Sequence, residues 1–395
     1  MEIIPQKKIV LLGAMSKHAV AGVVWQTVHY LIGFKRLGYD VYYVEAHASM
    51  PTKFSRSKED DGSAKAAAFI SQVMDRFDLG DKWAFHALHA DGVCYGMSEQ
   101  QLKQLYGSAN LIINLHGATI PLPEHSATGR LIYLETDPVA LQIELHEKNQ
   151  PTIDFLEPHC AFFTFGENYG NFDCKLPVSD RFHFKPTRQP IVLDFWKSHG
   201  NGVGRAFTTV GNWQQLRRYR EIYFQGEVYH WSKHYEFLKF LDIPERTKQA
   251  FELALSSSSY DEADKQTLES KGWLVRDALE FSTDMDDYRQ YIANSRGEFT
   301  VAKDQNVRLR TGWFSDRSAT YLAAGKPVIT QETGFSNILP TGEGLFGFST
   351  IEEIADAVEA VNSDYERHSQ AASEIAREYF NYDVVLDQIL AQVSF

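Results

Sequence analysis

The feature that most constrains this chain is a rhythm that occurs in two series: a short apolar run, a small or polar residue at its end, then a stretch with helical spacing. Lys8–Gly13 (KIVLLG), Val41–Glu45 (VYYVE), Leu111–Leu115 (LIINL), Leu131–Glu135 (LIYLE) and Ala161–Phe165 (AFFTF) are the first series. Such unbroken apolar runs suit strands of a parallel sheet, buried on both faces. Between the first two, Val24, Val28, Leu31, Ile32 and Leu37 keep a helical spacing that Gly38 stops. Ser49–Gly62 reads as a polar loop and Ala64–Phe77 as a helix. Then Pro177, Pro186, Pro190, Gly200, Gly202 and Gly204 give the composition of a linker.

The second series has strands at Ala206–Val210, Phe251–Leu255, Glu298–Ala302 and Pro327–Thr330. Helical stretches cover Trp231–Leu241, Asp284–Asn294, Ser315–Ala324, Ile351–Val361, Ser369–Phe380 and Val384–Val393. The expectation is an α/β chain of two halves, residues 1–185 and 205–380, with a linker at 186–204 and a last helix in 381–395. Two such halves define a cleft, where chemistry is expected.

Composition removes several function classes. Thirty-nine basic against 52 acidic residues give a net charge of −13, which argues against non-specific nucleic-acid binding. No apolar run approaches the roughly 20 residues that span a bilayer. The opening MEIIPQKKIVLLG enters a strand directly without a small-residue cleavage site, so a cytoplasmic protein is expected. Three cysteines, with no C-x-x-C pair, argue against a disulfide framework or zinc site. No H-E-x-x-H or D-x-D stands out, and no metal is expected. The 13% aromatic content fits either a large core or stacking platforms for sugars and rings.

Thr311–Leu345 (TGWFSDRSATYLAAGKPVITQETGFSNILPTGEGL) carries the functional argument. Ser315 suits an N-cap, Asp316 the positive first turn, and Gly325 the left-handed stop. A strand then delivers Gly334-Phe335-Ser336-Asn337 to the same sheet edge, where free amides make an anion site. The run A-A-G-x-P-V-I (Ala323–Ile329), the turn at Gly334 and G-x-G-L at Gly342–Leu345 resemble the donor half of GT-B glycosyltransferases. The opening, with Gly22-Val23 and R-L-G-Y-D-V (Arg36–Val41), is similar to the other half of that fold.

The resemblance implies two facing Rossmann-like domains, a final helix crossing back onto the first, and a nucleoside-diphosphate sugar, UDP foremost, as co-substrate. It departs from the family in two respects. The two glutamates that many retaining members carry in this region fall at Gly312 and Thr320. Asp316, one turn before Thr320, is then the candidate for the ribose, and Arg317 and Thr320 join it as donor candidates. Asn212 stands where the family has an arginine, and Arg217 falls where its phosphate-binding lysine would. Gly13 and Gly22 bound the first loop and would admit a close approach of the sugar.

Candidate catalytic groups end first-half strands. His116 follows LIINL and either polarises an acceptor hydroxyl or is a satisfied structural histidine. Asp137, with Glu135 in LETDP, is either an acceptor-activating carboxylate or a helix cap, and His18 is either a base or a surface histidine. Trp231 and Tyr229 are candidates for base stacking, against a core role for this aromatic run. The expected activity is sugar transfer from UDP to a hydroxyl of a small molecule or glycan. Two alternatives stand beside it: a sugar-nucleotide epimerase on the same fold, and a catalytically silent nucleotide-sugar binder.

Overall fold

The computed structural model describes residues 6–47, 62–197, 204–215 and 221–393. Arg217 and most of the 49–62 loop therefore lie outside the described residues. The first sheet contains β1 (Lys8–Leu12), β2 (Asp40–Glu45), β3 (Trp83–His86), β4 (Cys94–Gly96), β5 (Leu111–Leu115), β6 (Leu131–Glu135), β7 (Ala161–Thr164) and β8 (Phe184–Pro186). Its order is β4-β3-β2-β1-β5-β6-β7-β8, parallel except for β4. The strand order reverses between β1 and β5, the switch point at which open α/β sheets form a ligand crevice.

The second half holds β9 (Ala206–Gly211), the hairpin β10 (Ile222–Phe224) and β11 (Glu227–Tyr229), then β12 (Ala250–Leu255), β13 (Leu274–Asp277), β14 (Gly297–Thr300), β15 (Val328–Gln331) and β16 (Leu345–Phe348). Without the hairpin these form one parallel sheet in the order β13-β12-β9-β14-β15-β16. Each half thus repeats the Rossmann order, and the second switch point lies between β9 and β14. Their strands are apolar because helices cover both faces: β1, β5 and β6 bury nearly every residue.

The halves are packed together rather than strung apart. Helix Ala21–Arg36 buries Trp25, whose indole N–H donates to the Met285 carbonyl of the second half at 3.0 Å. The last helix, Tyr382–Gln392, returns to the first: a Cβ on Gly33 would collide with Leu386. Ile191 exchanges backbone hydrogen bonds with Phe380 and Tyr382, which pins the connecting segment to that return. Large apolar side chains buried along this seam, Trp25, Trp196 and Leu386 among them, each contribute about 1.5–3 kcal/mol.

Several expected spans differ in a physically readable way. The helix expected over Trp231–Leu241 is confined to His234–Lys239, with Lys233 as its N-cap and Phe240 as its C-cap. The basic stretch Arg308–Arg310 ends a helix, Asp304–Leu309, and Arg310 caps it in the left-handed region at φ 50°. No helix among the described residues is long and apolar enough to cross a membrane.

Candidate functional site

The second switch point places three cations around one cavity of about 90 Å³, lined by Val210–Asn212, Trp231, Lys233, Thr300, Lys303 and Arg317. Two of these cations have partners. Arg317 donates to Glu298 at 2.6 Å, to the Val210 carbonyl at 2.7 Å and to Thr300 Oγ1 at 3.0 Å. Lys303 pairs with Asp137 of the first half and lies 3.2 Å from the centroid of the Trp231 ring. Lys233 is in no ion pair among the described residues; its ammonium sits 5.6 Å from the Trp313 ring centroid. Burial, reinforced by Arg317 and Lys303, brings its pKa down to about 7. Glu298 and Asp137 offset the charges of Arg317 and Lys303, so the ammonium of Lys233 is the cation at this corner without a carboxylate of its own.

Helix Asp316–Ala323 begins at the same place. Ser315 occupies the N-cap, as its residue type suggests, but its side chain accepts no capping hydrogen bond. The carboxylate of Asp316 turns back on the first amides of that helix, accepting from its own N–H and from that of Arg317. Asp316 heads it, and burial raises its carboxyl above the usual range.

From the first half, β5 and β6 bring His116 and Thr136-Asp137 to face this corner. His116 has φ 61°, an unusual conformation for a residue with a side chain. Its Nδ1 lies 2.8 Å from Thr136 Oγ1, while Nε2 is buried with no hydrogen-bond partner among the described residues. Burial, with His18 as the lesser cause, lowers its pKa to about 4, so it is neutral at pH 7. Asp137 Oδ2 meets Lys303, and Oδ1 is buried without a partner among the same residues. Between the halves, Trp313 Nε1 donates to the Thr136 carbonyl at 3.0 Å. Buried atoms without partners also occur elsewhere among the described residues, at Tyr106, Gln305 and Asn306 for example; His116 Nε2 and Asp137 Oδ1 are those that lie on strand ends next to the cation cluster. Glu135, two residues earlier, points elsewhere: Thr164 and Gln142 donate to it, and burial raises its pKa to about 8.

The remaining candidates distribute as follows. Thr320 Oγ1 donates to the Arg317 carbonyl at 2.6 Å, back along its own helix. The space a Cβ would need at Gly13 is filled by the Tyr43 ring, so packing already demands glycine there. Gly22 faces the Tyr288 hydroxyl; a Cβ at this position would lie 3.5 Å from that oxygen, an ordinary contact. His18 is exposed on the loop between them.

The 334–337 turn lies at a second corner of the cleft. Gly334 has φ 95°, and its amide donates to Glu332 at 2.5 Å. The Asn337 amide donates to the Gly334 carbonyl. Phe335 is buried against Phe314, Ser336 is exposed, and the Asn337 side chain donates to Asn168 and Asp173 of the first half. Asp173 also accepts from Asn168 and Arg310; these contacts, Asn168 first, hold its pKa at about 2.

Sequence reading missed Lys233, Lys303 and Trp313. A positional signal existed for one of them: Lys303 follows the strand EFTVA at its carboxyl end, as His116 follows LIINL. Among the described residues, no group of three His, Cys, Asp or Glu side chains is arranged to hold a metal ion. A larger hollow of about 590 Å³ is lined by second-half residues, between Ala206, Glu252 and Tyr291, away from His116 and Asp137.

No family model and no curated protein matches the chain. Solved structures do, along its whole length. One is Anabaena HepE in complex with UDP-glucose, at 13% identity and TM-score 0.55, covering 99% of this chain and 100% of that one. Another is an alpha-glucosyltransferase in complex with UDP and DNA, at 10% identity and TM-score 0.57, with 99% and 100% covered. A third is the sucrose-phosphate synthase of Thermosynechococcus elongatus, at 9% identity and TM-score 0.54, with 98% and 99% covered. The fold is therefore the GT-B arrangement of two facing Rossmann-like domains.

Proposed function

We propose that the protein is a glycosyltransferase that moves a sugar from a nucleoside diphosphate, UDP foremost, to a hydroxyl of a small-molecule or glycan acceptor. The observation that carries this reading is the cation cluster Lys233, Lys303 and Arg317 at the second switch point, met from the first half by Asp137 on Lys303 and by Thr136, the neighbour of His116, on Trp313. The HepE structure of the same fold was solved with UDP-glucose, which supports the choice of donor.

In this reading the diphosphate lies against Lys233 and the start of helix Asp316–Ala323. Charge developing on the leaving diphosphate meets donors already in place, the arrangement that lowers a barrier most. A charge-assisted contact from Lys233 is worth about 1.5–3 kcal/mol. Lys303, drawn to the phosphate, releases Asp137. Either Asp137 or neutral His116 then takes the proton of the acceptor hydroxyl as the sugar's anomeric carbon exchanges the phosphate oxygen for that hydroxyl oxygen. Trp313 closes the corner and excludes water, the competing acceptor.

Calorimetric titration with UDP, ADP and GDP, followed by UDP-sugar turnover against a panel of hydroxyl acceptors, tests the reading. Micromolar UDP binding with acceptor-dependent UDP release is expected. Absence of nucleotide binding overturns it, and conversion of the sugar without an acceptor identifies an epimerase instead.

A further inference from the structure

Thr136 sits between two bonds that belong to different halves of the molecule. Its carbonyl accepts from Trp313 Nε1 at 3.0 Å, and its hydroxyl lies 2.8 Å from His116 Nδ1. Trp313 is itself fixed by the second half: its carbonyl accepts from Thr333 Oγ1, its amide donates to Thr311 Oγ1, and Lys233 lies over its ring. The ring of His116 has no other polar anchor among the described residues, since Nε2 is buried without a partner there. The Thr136 hydroxyl pairs with Nδ1 in either tautomer, but if it donated, Nε2 would carry a buried N–H without an acceptor, whereas Nδ1–H donating to Oγ1 leaves Nε2 only an unused lone pair, the less costly arrangement.

We propose that Thr136 is a positioning residue: it holds the Nδ1 proton of His116, aims the Nε2 lone pair into the cleft, and ties that orientation to the docking of the second half through Trp313. The catalytic histidine is thereby set only where the donor-binding half is in place. This rests on the cleft being the transfer site, yet the tautomer can be read without any turnover.

Long-range proton–nitrogen spectra of the histidine-labelled full chain at pH 7 test it directly. His116, assigned by its loss in His116→Ala, is expected as the Nδ1-protonated tautomer in the wild type and in Thr136→Ser. It is expected as a mixture in Thr136→Val. In parallel, release of UDP from UDP-glucose is expected to fall at least tenfold in Thr136→Val, to recover in Thr136→Ser, and to show no further loss when Thr136→Val is added to His116→Ala, with UDP affinity unchanged throughout. Trp313→Phe, which keeps the ring beneath Lys233 and deletes only Nε1–H, reproduces the turnover loss if Thr136→Val proves unstable. An Nε2-protonated His116 in the wild type, an unchanged spectrum in Thr136→Val, or losses that add in the double variant overturn the proposal. Failure of the wild type to bind UDP strikes the transferase reading and leaves the tautomer result to stand or fall separately.

Discussion

Two corners of one cleft join the same two domains in different ways. At the Asp173 corner the polar groups satisfy one another: Asn168, Arg310 and Asn337 all donate to one carboxylate, and the Gly334 amide is taken by Glu332. At the Lys233 corner they do so less completely: among the described residues His116 Nε2 and Asp137 Oδ1 lack hydrogen-bond partners, and the Lys233 ammonium is in no ion pair and meets only the Trp313 ring. Desolvating polar groups without pairing them costs roughly 1–3 kcal/mol each. In the function proposed above, a ligand at the second corner offsets that cost, while the first corner holds the domains together.

The largest effect that can break this contrast is on turnover. His116→Ala is expected to lower UDP-sugar turnover about 10²-fold or more while the UDP dissociation constant stays put, the size typical of a lost proton-transfer group. Wild-type turnover would return His116 to a structural role. Next in size, Lys233→Met is expected to weaken UDP about tenfold or more by calorimetry; an unchanged constant would move the phosphates away from this corner.

Proton linkage sharpens the contrast further. The Lys233 ammonium is the anion-binding form, and its pKa in the free protein is about 7, below that of an ordinary lysine. UDP affinity should therefore decline as pH rises through about 7, and Lys233→Arg, which stays charged, should flatten that decline. A profile flat in both proteins removes Lys233 from the phosphate. The smallest effect belongs to the clasp. Asp173→Asn is expected to cost about 1 kcal/mol of stability, read by thermal melting at pH 7, with UDP affinity unchanged. Because the Asp173 pKa lies at about 2, below the ordinary carboxylate value, its contribution is present above pH ~4 and fades as pH falls towards 2. A UDP affinity that drops in Asp173→Asn would erase the distinction between the corners.

The fold was legible because its cues are local. KIVLLG, LIINL and LIYLE are buried strands on pattern alone, and A-A-G-K-P-V punctuates a helix end and a strand start. His116 and Asp137 were legible for a related reason, each standing just past the carboxyl end of a strand. The cation cluster was not, because its members are far apart in sequence: Lys303 meets Asp137 across the domains, and Lys233 is delivered by a hairpin whose short strands carry little pattern. The glycine-rich turn at Gly334 looked like an anion cradle for a reason that was physically sound, free amides at a sheet edge. What a sequence does not reveal is that Glu332, two residues before, takes the Gly334 amide, and that Asn168, in the other domain, takes the Asn337 side chain.

A structure of the protein with UDP bound tests the central claim most directly. The account predicts diphosphate density within hydrogen-bonding distance of Lys233 Nζ and the first amides of helix Asp316–Ala323, with the Asp173 clasp intact. Diphosphate seated on the Phe335 and Ser336 amides, with Lys233 left facing solvent, would contradict it.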